Sequence, residues 1–139
     1  VIHGMLLKPS YTEEDLLGYL GDSCVTEVYG LGGMSSIAGP AYARFTGATF
    51  VEAKERTEKA RAVSLGEHTF APIPWDEYRG FPVGIDARKV VGYNILPISH
   101  GGSALKTGGQ AGAGAAELPL ECFREALRGI RDEALRKQQ

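Results

Sequence analysis

The sequence predicts an α/β (α+β) domain in which helices pack on a small sheet and long glycine-rich loops connect the elements. Three observations lead there. Short apolar runs at residues 1–7, 69–73 and 83–85 have the length of strands. They alternate with segments of helical period, clearest over 50–64 and from Pro119 onward. The 19 glycines in 139 residues are roughly twice the 7% usual in proteins. They sit among aliphatic and aromatic residues and follow no collagen period, so the excess shapes folded backbone rather than disorder. The length suits one domain.

Along the chain, residues 1–7 read as a buried strand, followed by a polar turn at Lys8-Pro9-Ser10 and a short acidic helical start at Thr12-Glu13-Glu14-Asp15. Residues 21–33 interleave apolar positions with Asp22, Ser23, Thr26 and Glu27 and fit either strand or helix. Small and apolar residues dominate 34–45, the pattern of a buried helix packed through Ala38, Gly39 and Ala41, with Pro40 at a first turn or a kink. Residues 50–64 read as a solvated surface helix: Glu52 and Arg56, Glu55 and Lys59, and Lys54 and Glu58 are each four apart. Such pairs contribute roughly 0.2–0.5 kcal/mol each, so the charge run is structural. The turn-rich Pro74-Trp75-Asp76-Glu77-Tyr78-Arg79-Gly80 separates the next two strands. Asp86 then caps a short helix over 87–91, with Gly92 as its C-cap. In the last helix Pro119 suits the first position, and Leu120, Phe123, Leu127, Ile130 and Ala134 make one apolar stripe that docks on a core or a partner.

Fifteen basic against 17 acidic residues, net -2, with no basic stripe, exclude nucleic acid as the main partner. No run approaches the ~18 consecutive apolar residues of a spanning helix and no signal segment opens the chain, so no membrane partner and a cytoplasmic location are expected. Cys24 and Cys122 lack zinc-site spacing and read as small buried hydrophobes in a reducing compartment. No metal or cofactor is expected. The chain opens at Val1, already apolar and without an initiator methionine, as if cut inside a strand. A fragment, a processed product and a trimmed chain all fit that start.

Chemistry candidates sit in the glycine-rich stretches. Over residues 99–114 six glycines accompany His100, Lys106, two serines and a threonine. Glycines there let backbone N–H groups converge on an anion, while Lys106 and His100 supply charge or a proton. The alternative is that these glycines only permit tight turns and close packing, with His100 in a structural hydrogen bond. Neither the P-loop order nor the dinucleotide fingerprint is present, which leaves ATP and NAD unsupported. Asp22, Ser23 and Glu27 are candidates to orient a substrate amide, with a helix cap the competing role for the first two. Asp86 reads as a cap and Arg88 as a carboxylate or phosphate contact.

The runs GDSCVTEVYGLGGMSSIAGPAYARFTGAT (21–49), IPWDEYRGFPVGIDARKVV (73–91), QAGAG (110–114) and PLECFREAL (119–127) resemble the C-terminal part of the YlbE/AllG-type family of FdrA-associated proteins, whose members are much longer. The resemblance implies the C-terminal part of a larger multi-domain protein, working with an FdrA-like subunit and a further subunit in an oligomeric oxamate carbamoyltransferase of allantoin and purine nitrogen catabolism. Oxalurate is there split by phosphate into oxamate and carbamoyl phosphate, so small anionic substrates are implied. On that reading His100 moves the proton and Lys106 neutralises charge. Asp22, Ser23, Glu27, Arg88, Gly101, Gly102, Gln110 and Gly112 contact substrate. One departure stands out: the family pattern sets a His-Lys pair before QxGAG, whereas here Leu105 precedes Lys106 and the histidine lies at His100. A non-catalytic interaction subunit and a stand-alone anion-binding module are the competing readings.

Overall fold

A computed structural model of the chain describes residues 2–20 and 24–138. Asp22 and Ser23 therefore lie outside the described residues. Among those described, strands β1 (Ile2–Leu6), β2 (Leu16–Leu20), β3 (Ser64–Ile73), β4 (Arg79–Ile85), β5 (Ile98–Leu105) and β6 (Gln110–Glu117) make two antiparallel sheets. One has four strands in the order β1-β6-β5-β2; the other is the hairpin β3-β4. With the helices this is the mixed α+β class that the sequence predicts.

The expected glycine loop over 99–114 is instead the hairpin β5–β6 at the centre of the larger sheet. Its turn uses Gly108 and Gly109 at φ +94° and +91°, backbone that favours glycine. The small side chains serve close packing. Ala111, Ala113 and Ala115 are buried to 2% exposure or less, and a Cβ on Gly112 would run into the carbonyl of Met5 on β1.

The helices are α1 (Cys24–Tyr29), α2 (Pro40–Phe45), α3 (Phe50–Val63), α4 (Ala87–Tyr93) and α5 (Leu120–Arg136). Residues 34–45 do not form one helix. A 3-10 segment, Gly32–Ala38, breaks at Ser35, and α2 restarts with Pro40 in its first turn, where a missing N–H costs nothing. The 3-10 segment plugs the core: Met34 and Ile37 are fully buried. Thr57 Oγ1 on α3 accepts from the Ile37 N–H at 3.1 Å, and Trp75 Nε1 donates to the Ile37 carbonyl at 2.7 Å.

A capping box between Thr49 and Glu52 starts α3. The helix is not merely solvated, because Ala53, Thr57, Ala60 and Val63 bury one face, and Glu58 turns to Arg61 and Arg79 rather than to Lys54. Asp86 caps α4 as expected, accepting from the Arg88 N–H, but Gly92 lies inside that helix and Asn94, at φ 54°, ends it. Pro119 is the residue before α5 rather than its first. That helix packs on α4 and buries none of its residues; Ile130 is 66% exposed, and Cys122, expected inside, is exposed.

Two glycines make opposite predictions. Gly30 sits at φ +104° with the Pro82 carbonyl where a Cβ would go, so Gly30→Ala is expected to cost about 3 kcal/mol or more in a denaturant titration. Gly92 is exposed in α4 with open space around it, and Gly92→Ala is expected to gain about 0.5–1 kcal/mol.

Candidate functional site

Two sequence candidates 73 positions apart meet where α1 and the 3-10 segment press on β5. The His100 backbone N–H donates to Glu27 Oε1 at 3.2 Å, and Glu27 itself is only 2% exposed. Glycines permit the approach. A Cβ on Gly33 would strike the Ile98 carbonyl, and one on Gly32 would stand 2.6 Å from Glu27 Oε1.

Ser35 and Ser36 close the other side. Ser35 Oγ donates to the Gly30 carbonyl. Ser36 Oγ donates to the Gly33 carbonyl at 3.1 Å and lies 3.5 Å from His100 Nε2. With the serine proton committed to Gly33, the histidine proton is assigned to Nε2, which leaves Nδ1 as a bare acceptor. The Tyr42 ring stands 5.5 Å from the imidazole. Together His100, Ser35, Ser36, Tyr42, Gly32 and Gly39 line a cavity of about 250 Å³.

Three buried polar atoms here have no hydrogen-bond partner: His100 Nδ1, Glu27 Oε2 and Arg56 Nη1. Buried groups left unpaired cost free energy and call for an explanation. Burial first, and then the Arg56 charge, hold the His100 imidazole down at about 4, well below its ordinary 6.5. At neutral pH the ring is therefore uncharged.

The stability consequence has a definite sign. Between about 6.5 and 4 the unfolded chain binds the His100 proton and the folded one does not, so stability is full above 6.5 and falls as pH drops toward 4. The loss is on the order of 2–3 kcal/mol. The carboxyl groups of Asp15, Glu52, Asp86 and Glu121, held low by hydrogen bonds to Thr12, Thr49, Arg88 and Arg128 respectively, lose their contribution only at lower pH. Denaturant titrations at pH 7 and 4.5 on the parent and on His100→Gln isolate the effect; equal slopes in the two proteins would remove His100 as its source.

The other sequence candidates are placed elsewhere. Lys106 lies six residues along β5 and its turn, roughly 20 Å at 3.3 Å per residue, and its Nζ donates to the Glu14 carbonyl. Arg88 is exposed and forks onto Asp86, with bonds of 3.0 and 2.8 Å. Gly101 pairs with Gly114 inside the sheet. Gly102 and Gln110 line a separate hollow of about 580 Å³ near the hairpin turn, where Gln110 Nε2 donates to the Gly112 carbonyl. Neither Lys106 nor Arg88 lines the His100 cavity.

Sequence reasoning passed over Ser35, Ser36, Tyr42 and Arg56. The first two follow the pair Gly32-Gly33, a signal that a tight non-helical turn presents hydroxyls there. Arg56 was hidden by its helical spacing to Glu52.

No family model matches the chain. It is 35% identical over 128 residues to "Oxamate carbamoyltransferase subunit AllG" of Escherichia coli K12, covering 90% of this chain and 30% of that protein. It is 36% identical over 121 residues to "Uncharacterized protein YahG" of the same organism, covering 86% of this chain and 26% of the relative. A crystal structure of a conserved protein of unknown function from Enterococcus faecalis V583 superposes with a TM-score of 0.83 at 32% identity, over 94% of this chain and 32% of the other. The chain thus spans about a third or less of the length of each protein that it matches. Over that span, the chain is similar to AllG/YlbE-type proteins.

Proposed function

We propose that this chain is part of a carbamoyltransferase subunit, and that the His100 cavity serves the splitting of oxalurate by phosphate into oxamate and carbamoyl phosphate. The observation that carries this reading is the meeting of His100 and Glu27, with unpartnered acceptors on both, at the edge of a cavity that His100 lines, in a chain similar to AllG.

The proton count suits an imidazole that begins and ends neutral. As a phosphate oxygen attacks the carbamoyl carbon, its hydroxyl proton passes to His100. The C–N bond to the oxamate nitrogen then breaks, and the same proton goes to that nitrogen. Glu27 Oε2 orients the carbamoyl N–H groups, and backbone N–H groups between Gly32 and Gly39 receive the developing oxyanion. Lys106 and Arg88 lie outside this cavity, on surfaces open to another subunit. An FdrA-like subunit and a further subunit complete the oligomer, in the cytoplasm, within allantoin and purine nitrogen catabolism.

A second reading is favoured by α5, whose apolar stripe buries no residue: the chain is an assembly element and another subunit holds the chemistry. Reconstitution with the FdrA-like partner separates the two. Phosphate-dependent carbamoyl phosphate that vanishes in variants of the His100 cavity supports the first. Normal complexes with unaltered rates in every such variant establish the second.

A further inference from the structure

A cleft of about 790 Å³ runs between one face of α3, the segment after α4 and the end of β6. Residues at steps of three and four along α3 supply its charged wall, Arg56 and Lys59 with Glu52 and Glu55; Asn94, Ile98 and Ala115 lie opposite. Glu52 is already committed, since its Oε2 accepts from the Thr49 N–H and hydroxyl at 2.7 and 2.8 Å.

Arg56 occupies an unusual position. It lines this cleft, its charge reaches His100 on the other side, and its Nη1 is shut off from solvent without a hydrogen-bond partner. No carboxylate lies within 4 Å of it to form an ion pair among the described residues, although Glu52 stands one helical turn away. A guanidinium cannot shed its proton to relieve that cost, so the group is built for a planar oxyanion that brings its own charge. The wall is mixed, however. Glu55 and Glu117 face the same cleft and would repel a bare anion while accepting hydrogen bonds from N–H groups.

We propose that Arg56 is the carboxylate-binding residue of the site, and that the cleft admits a small carboxylate carrying amide N–H groups, whose acid end meets Arg56 and whose amides meet Glu55 or Glu117. This rests on the reading of the His100 cavity only for the direction in which the ligand points. Arg56 touches the ligand in the cleft, while His100 lines the separate cavity and is linked to it through the Arg56 charge.

The test is calorimetric titration of oxamate, and separately of inorganic phosphate, into the protein isolated with its native partners. Oxamate binding is expected to weaken about tenfold or more in Arg56→Met, and several-fold in Arg56→Lys, which keeps the charge but loses the fork. The lysine variant carries the test should the methionine variant fold poorly. Phosphate is expected to bind more weakly than oxamate, with less dependence on Arg56. Parental oxamate affinity in a folded Arg56 variant overturns the proposal, as does phosphate binding that depends on Arg56 more than oxamate binding does. Arg56-dependent oxamate binding in an assembly that forms no carbamoyl phosphate would sink the proposed reaction and leave this inference standing. Turnover with an unchanged KM in Arg56→Met would do the reverse.

Discussion

Under the proposed reaction, replacing His100 with glutamine is expected to lower phosphate-dependent carbamoyl phosphate formation by the reconstituted assembly about 10²–10⁴-fold, the usual worth of a positioned acid–base group. Glutamine has similar length and can keep a contact to Ser36, so the variant tests the relay rather than the packing. His100 is 8% exposed, and its backbone N–H reaches Glu27 whatever the side chain. Complex formation and secondary structure should therefore persist. Unlike a structural histidine, a relay is sensitive to the proton inventory, so the parent should show a solvent deuterium effect on kcat that the variant loses. A variant that turns over within threefold of the parent would return His100 to the structural role that the sequence left open.

The elements legible in the sequence were those whose residues announce their own environment. Asp86 ahead of α4 is such a local signal, and that cap forms; Thr49 with Glu52 is a signal of the same kind that the reading of 50–64 as a charged surface helix left unused. The Gly-Ala strands β5 and β6 were not legible as strands, because they lack the branched and aromatic residues that mark a pleated surface. Gly108-Gly109 between them was the available hairpin signal. Their smallness answers to neighbours that only the fold supplies, as at Gly112 against Met5. The candidate site was half legible for the same reason. His100 and Glu27 stood out as polar residues among glycines, but nothing local joins residues 73 positions apart. Arg56 was assigned to a surface pair because spacing along α3 reports which residues are neighbours on the helix, and not what lies opposite.

The largest stability effect is expected from Arg61→Met, about 3–5 kcal/mol in denaturant titration at pH 7. The Arg61 side chain is 5% exposed and its Nη1 lies 2.6 Å from both Glu58 and Asp76, while its Nη2 donates to the Gly80 carbonyl at 3.0 Å. Glu58 and Glu67 are more exposed and keep Arg79 as a partner. Asp76, at 3% exposure, has no other cation among the described residues, so losing Arg61 strands a buried carboxylate in the turn that joins β3 to β4. One consequence follows from that mechanism rather than from lost packing. Substituting Asp76→Leu on top of Arg61→Met should recover a large part, because two apolar groups replace a broken pair. A loss under about 1 kcal/mol, unchanged by the second substitution, would show that water reaches Asp76 and that the hairpin is held to α3 by Thr57 and Trp75 instead.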